Sequence, residues 1–315
     1  MNPQLKVVAE RQGGVFARRQ AISSGYTPGQ IRRRLADGRW VRIRHGQYCE
    51  SLDLSALPPW EQQTHVHRRL VHAVMNSWRS GAIAVSHQSA LALHGAPLWG
   101  RELGQVHVTR LDELAGGLLA GVRHHVGRLA EIDLTEVDGL MTTTVARAIV
   151  ESACTASFEA TVVSVDAALR DHAMDENDVR RLLGLIEFWP GSATARAAVS
   201  FGDARSESVG ESRLRVLMHN HGLPVPVLQV EFRDSDGLIG RVDFYFPQYR
   251  TVVEFDGRIK YGGGSPEVLV QEKIREDRLR ALGLQVVRSV WSDFDRPHRL
   301  VAGIRQAFDR AQRAA

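Results

Sequence analysis

The chain has 315 residues, of which 43% are hydrophobic and 24% are charged. This composition is typical of soluble globular proteins, and the length suffices for two or three domains. Its two cysteines, Cys49 and Cys154, match no metal-ligand spacing, so we expect a reducing compartment rather than a disulfide scaffold. No apolar run has the length of a signal-peptide core or a membrane span, which predicts a cytoplasmic protein without a membrane partner.

Positive charge is concentrated at the N-terminus. Residues 1–50 carry ten basic and three acidic side chains, a net charge of +7, whereas the whole chain has a formal net charge of +4. A basic segment that is also rich in apolar residues is typical of a folded nucleic-acid-binding domain. The alternative is a solvated basic face on a small packing domain.

The first fifty residues have the element order of a helix, a turn, a second helix and a two-stranded ribbon. Residues 14–22 place apolar side chains at helical spacing, and Gly25 provides a turn. The segment 27–30 reads Thr-Pro-Gly-Gln and begins the second helix, because Thr can cap it, Pro suits its first position and Gln completes a capping box. Residues 40–44 alternate like a strand, and the chain turns back at residues 45–46.

This order predicts a winged-helix domain over residues 1–50, in which the second helix enters the major groove and the ribbon lies near the backbone or minor groove. The candidate nucleic-acid-binding residues are therefore arginines of the second helix and the ribbon: Arg32, Arg33, Arg34, Arg42 and Arg44. The segment resembles the N-terminal domain of AbiEi-type antitoxins, which are winged-helix autorepressors of type IV toxin–antitoxin systems. The resemblance implies duplex DNA as a partner, together with a toxin or a second copy of the chain.

Residues 51–205 predict an α+β middle domain, of the kind that follows the winged helix in AbiEi-like chains. Apolar spacing predicts helices, among them one over residues 142–153, and alternation predicts strands at residues 105–109 and 121–126. Seven of the histidines here match no zinc spacing and have no Cys or Glu partner at a suitable offset. We expect structural or surface roles for them: His65, His67, His72, His87, His94, His124 and His125.

Residues 206–315 predict an α/β domain. A helix beginning near Glu211 precedes a meander of three strands, then a charged helix from about Pro266 to Leu282 and a last strand at residues 285–290. This order closes an α/β core on a mixed sheet. The predicted fold class is therefore a multidomain α+β protein: a winged helix, an α+β middle domain and a C-terminal α/β core.

The strands of this last domain carry acidic residues at the spacing of a nuclease motif. Asp243 lies on one strand and Glu254 eleven residues later on the next, which resembles the core of the PD-(D/E)XK nucleases. The helix with Glu211 and the charged run from Glu272 to Gly283 resemble domains related to the very short patch repair endonuclease. The resemblance implies a restriction-endonuclease-like fold, a Mg²⁺ (or Mn²⁺) cofactor and hydrolysis of DNA phosphodiester bonds.

Phosphodiester hydrolysis explains why carboxylates recur in this pattern. It requires neutralisation of the phosphate oxygens and an activated water, which Mg²⁺ supplies while it binds a few oxygen ligands. Asp243 and Glu254 are the candidate metal ligands, and Glu211 approaches from the helix. Asp256 and Lys260 complete the candidate catalytic set, since a lysine orients water and stabilises developing charge. Asp256, however, occupies the usual lysine position, and Lys260 follows four residues later.

Arginines beside these acids leave the function open. Arg275 and Arg278 on the charged helix contact phosphate in one interpretation and hold the carboxylates in salt bridges in the other. The first interpretation predicts a Mg²⁺-dependent DNA endonuclease. The second predicts a non-catalytic AbiEi-like transcriptional regulator or antitoxin that uses a degenerate nuclease fold for binding. A third, recognition of RNA or damaged DNA, has Trp291 and Tyr261 as stacking candidates.

Overall fold

The chain divides into two compact units, residues 1–201 and 202–315. A computed structural model describes these residues: 1–78, 82–112, 114–257 and 266–314. In that part of the chain, no helix combines the length and the apolar character that a membrane span requires. Within the first unit, the boundary at residue 50 between the winged-helix domain (the head, residues 1–50) and the middle domain stays a prediction.

The first unit begins with three short helices and a three-stranded antiparallel sheet of order β1-β3-β2. The predicted capping box is confirmed: Thr27 Oγ1 accepts a hydrogen bond from the N–H of Gln30, and the Gln30 side chain accepts one from the N–H of Thr27. Phe16, Ile31 and Trp40 are fully buried in the core beneath the helix that this box caps, which begins at Pro28. The elements are α1 (Pro3–Glu10), β1 (Val15–Ala17), α2 (Arg18–Ser23), α3 (Pro28–Ala36), β2 (Trp40–Arg44) and β3 (Gln47–Glu50).

A six-stranded mixed sheet of order β6-β7-β5-β4-β9-β8 follows in the same unit. Its core contains Leu91, Val108 and Ile149, all fully buried. The elements are α4 (Pro59–Ser77), β4 (Ile83–Val85), α5 (His87–His94), β5 (Val106–Arg110), β6 (Gly117–Leu119), β7 (Val122–Val126), β8 (Leu134–Val137), β9 (Leu140–Thr143), α6 (Val145–Ala153), α7 (Phe158–Arg170), α8 (Glu176–Leu185) and α9 (Ser192–Ser200).

The helix expected from residue 142 begins three residues later. Thr142 and Thr143 belong to β9, where Thr142 pairs with Val85. Thr144 then caps α6, because its side chain accepts a hydrogen bond from the N–H of Arg147. Apolar spacing alone predicted a longer helix, since a four-residue strand is too short to show alternation.

The second unit has a four-stranded sheet of order β10-β11-β12-β13. The first three strands are antiparallel neighbours, and β13 is parallel to β12, so the predicted mixed sheet and its element order are confirmed. One face of the sheet packs on α10 and α12, and the other packs on α11. The elements are α10 (Val209–Asn220), β10 (Val227–Asp234), β11 (Gly237–Phe246), β12 (Thr251–Asp256), α11 (Pro266–Ala281), β13 (Gln285–Val290) and α12 (Pro297–Ala314).

Gly210 allows α10 to lie against the sheet. A Cβ at this position would fall 1.9 Å from the ring of Phe255. We expect Gly210→Ala to lower the free energy of unfolding of the second unit by about 1–3 kcal/mol, because an overpacked core must shift backbone or ring. The measurement is urea unfolding. The matched control is Gly303→Ala in α12, where nothing lies within 4 Å. Equal stabilities of the two variants would contradict the packing argument.

Candidate functional site

Three of the predicted acidic residues lie close enough in the second unit to interact electrostatically. Asp243 is on β11, Glu254 is on β12 and Glu211 is in the first turn of α10. Burial raises the pKa of Asp243 to about 7, and the negative charges of Glu211 and Glu254 add to the effect. The N–H of Phe255 opposes it by donating a 2.7 Å hydrogen bond to Asp243 Oδ2. The structure thus gathers these acids at one site.

Strand β11 changes face at Asp243. Val242 packs with Val252 on one side of the sheet, whereas Phe244 packs on the other side with its β12 partner Val253. Strict alternation would place Val242 and Phe244 on the same side. The facing strand β10 is irregular at the same level, because Gln229 has a φ of 57° and is missing from the ladder of paired residues.

Glu211 is held in place by three donors. Its carboxylate accepts hydrogen bonds from the N–H of Glu207 at 2.9 Å, the hydroxyl of Ser208 at 2.7 Å and Nε2 of Gln229 at 2.9 Å. Burial raises the pKa of Glu211, although these donors favour its ionised form. Sequence reasoning missed Gln229, because a lone amide within a strand has no distinguishing pattern. Its left-handed backbone conformation, rare for a residue other than glycine, is the structural sign of its role.

Glu254 is paired with an arginine of the charged helix. Nη2 of Arg275 lies 2.6 Å from Glu254 Oε1 and also donates to the backbone carbonyl of Arg241 at 2.9 Å. Gly240, with a φ of 151°, makes room for this side chain, since a Cβ there would lie 2.7 Å from Arg275 Nε. Arg275 therefore holds a carboxylate, as the second interpretation of the arginines predicts.

The other predicted residues of this site have different surroundings. Arg278 donates two hydrogen bonds to Asp234 at the turn between β10 and β11. Asp256 is half-buried at the end of β12, on the strand face of Glu254. Trp291 packs edge-on against Phe255, 5.1 Å between ring centroids. Two of the predicted residues lie outside the described part of the chain: Lys260 and Tyr261.

The predicted arginines of the head differ in exposure. Arg32 and Arg33 are exposed on α3, Arg42 is exposed on β2 and Arg44 is half-buried there. Arg34 instead lies over two rings of the core, 5.2 Å from the centroid of Tyr26 and 5.4 Å from that of Trp40. Its guanidinium contributes cation–π packing in addition to positive charge. The most accessible cationic surface of α3 is therefore formed by Arg32 and Arg33.

Comparison with known proteins supports the sequence interpretation of the head. Residues 4–51 match the model of a family described as "Transcriptional regulator, AbiEi antitoxin". The predicted resemblance of the head to the N-terminal domain of AbiEi antitoxins is therefore supported over these residues. Over 182 residues the chain is 34% identical to an uncharacterized protein found in two strains of Mycobacterium tuberculosis. The match covers 58% of this chain and 66% of the relative, just under two thirds of its length.

The half-buried carboxyl of Asp243 predicts that the stability of the second unit depends on pH. Because its folded pKa of about 7 exceeds the ordinary value of 3.8, the unfolded chain loses this proton at lower pH than the folded chain does. Stability is therefore lost as pH rises from about 4 to about 7. We expect Asp243→Asn to raise the free energy of unfolding near pH 8 by about 2–4 kcal/mol, and to change it little near pH 4.

The measurement is chemical unfolding of both proteins at the two pH values. Asp309→Asn, a change at an exposed position of α12, serves as the control and should leave the pH dependence as it is in the wild type. A stability gain for Asp243→Asn of equal size at both pH values would show that Asp243 does not titrate as described.

Proposed function

We propose that the chain is a DNA-binding transcriptional regulator that contacts duplex DNA with a winged helix at its N-terminus. The observation that carries this proposal is the match of residues 4–51 to the AbiEi antitoxin family. Its structural support is the capped helix α3 with two exposed arginines beside the antiparallel ribbon of β2 and β3. In this proposal α3 enters the major groove, and Arg42 and Arg44 on β2 contact the phosphate backbone.

The proposal predicts the effect of removing charge from α3. The double change Arg32→Ala and Arg33→Ala should weaken binding to the DNA upstream of the protein's own gene at least about tenfold. It should also reduce the slope of log affinity against log salt by about one for each phosphate that these arginines neutralise. The measurement is fluorescence anisotropy over a range of salt concentrations.

A matched control separates this effect from a general decrease in net charge. Arg180→Ala with Arg196→Ala removes two exposed arginines from α8 and α9 of the same unit. The control should bind like the wild type. If both double variants bound DNA equally weakly, α3 would not be the recognition helix.

A second candidate function, Mg²⁺-dependent cleavage of DNA, is favoured by the acids of the second unit. Glu211, Asp243 and Glu254 offer the oxygen ligands that Mg²⁺ prefers, and a cation would relieve the repulsion from Glu211 and Glu254, which adds to the effect of burial on the pKa of Asp243. Asp243 and Glu254 would hold the ion, which supplies charge neutralisation and an activated water when bound. The chain itself orients the ligands: the N–H of Phe255 fixes Asp243, and Gln229 fixes Glu211.

Two features favour a regulator that does not cleave DNA. Arg275 already neutralises Glu254, and the oxygens of the three acids do not all lie within 4.8 Å of one another in the described part of the chain. In this alternative the second unit serves for docking, and a toxin or a second copy of the chain is the partner.

Cleavage and metal binding are tested separately. With turnover, the wild type nicks plasmid DNA in Mg²⁺ or Mn²⁺ and Asp243→Asn does not. Without turnover but with metal binding, Mg²⁺ raises the melting temperature of the wild type and not that of Asp243→Asn. If neither nicking nor stabilisation distinguishes the two proteins, the acids hold no catalytic metal and the regulator alternative stands.

A further inference from the structure

Three histidines of the first unit converge on one point, although they are far apart in sequence. His87 begins α5, His107 is on β5 and His125 is on β7. Because Thr109 pairs with His125 and lies two residues after His107, the two imidazoles share one face of the sheet. His87 stacks on His125 with 3.7 Å between ring centroids, and the centroid of His107 lies 5.1 Å from that of His125.

The ring nitrogens face each other in this cluster. Nδ1 of His107 lies 2.9 Å from Nε2 of His125, and each of the three residues offers a nitrogen within 4.8 Å of the other two. No other trio of histidine, cysteine or acidic side chains in the described residues meets this distance. Burial lowers the pKa of His107 to about 3 and that of His125 to about 4, and it lowers that of His87 as well.

Polar groups outside the cluster contact one ring nitrogen of His87 and one of His107, whose Nε2 lies 2.8 Å from Nε2 of Gln88. Nδ1 of His87 lies 3.0 Å from the hydroxyl of Ser86 and 3.5 Å from Oε2 of Glu151. That Oε2 atom is buried and has no hydrogen-bond partner of normal geometry in the described residues, whereas Oε1 of Glu151 accepts a hydrogen bond from Arg147 at 2.7 Å. A carboxylate behind a histidine ring is the outer arrangement typical of metal-ligating histidines.

We propose that His87, His107 and His125 bind a divalent transition-metal ion of the Zn²⁺ class through one imidazole nitrogen each. Neutral imidazoles favour such ions over Mg²⁺, and three histidines leave a fourth position of a tetrahedral ion open. His87 has a φ of 53°, a left-handed conformation that persists where the surrounding structure enforces it and is frequent at functional sites. His107 and His125 are half-buried and accessible from solvent.

Binding requires local changes in the positions of the rings. With Zn–N bonds of about 2.0–2.1 Å, two ligand nitrogens of a tetrahedral ion lie about 3.3 Å apart, so the 2.9 Å contact opens by a few tenths of an ångström. The planes of His87 and His125 are 14° from parallel, so one of these rings turns to direct its lone pair at the ion. The proton on His107 moves to Nε2, which donates a hydrogen bond to Oε1 of Gln88 once that amide is turned; the turn gives up the 3.3 Å hydrogen bond from Gln88 to the carbonyl of Glu102.

The test uses the full chain freed of metal with a chelator. Calorimetric titration with Zn²⁺ should give one tight site per chain, and Co²⁺ should give the visible ligand-field absorption of a tetrahedral, nitrogen-ligated ion. His107→Asn and His125→Asn should each lower Zn²⁺ affinity by more than about 100-fold, because loss of outer partners alone costs about 10–100-fold. Glu151→Gln should lower it by about tenfold.

Two control variants should bind Zn²⁺ like the wild type. His124→Gln changes the neighbour of His125 on the opposite face of β7, where the ring packs against Trp78. Asp243→Asn removes a candidate oxygen ligand in the second unit. Binding that is lost in Asp243→Asn and kept in the histidine variants would overturn the proposal. So would a wild-type chain with no Co²⁺ absorption, and that readout decides the question even if a histidine variant fails to fold.

Discussion

The second unit is arranged around the cost of burying carboxylates. Three acidic side chains lie where a β-sheet and a helix meet, and water is too scarce there to solvate all of them as anions. The unit offsets this cost with donors whose positions depend on unusual backbone. Gln229 reaches Glu211 from a left-handed conformation, and Gly240 leaves the space through which Arg275 reaches Glu254.

The ion pair between Arg275 and Glu254 bears on both candidate functions of this unit, docking and Mg²⁺-dependent cleavage of DNA. Its partners are 22% and 13% exposed, so its charges are only partly screened, and removal of either partner would leave a poorly solvated charge. A guanidinium in this place does electrostatically what a divalent cation would do in a nuclease. The docking alternative requires this ion pair to stay formed. The nuclease alternative requires a metal ion to displace Arg275 from Glu254.

The sequence predicted several regular elements of the two units well and their special positions poorly. β13 has the predicted bounds, because a short strand rich in β-branched residues between turns is easy to recognise in a single sequence. The capping box of α3 was equally easy to recognise, because its residues are close together in the sequence. The change of face at Asp243, the bond from Gln229 and the packing of Arg34 on Trp40 depend on contacts between distant segments.

The histidine cluster was the feature that the sequence was least able to predict. Spacing rules find metal sites whose ligands come from one hairpin or one helix, but His87, His107 and His125 come from a helix start and two strands. Their distances follow only from the pairing of β5 with β7 and from the backbone of His87. Nitrogen ligands in the first unit and oxygen ligands in the second favour different ions. A chain that bound Zn²⁺ at one and Mg²⁺ at the other would therefore keep the two metals apart by ligand chemistry alone.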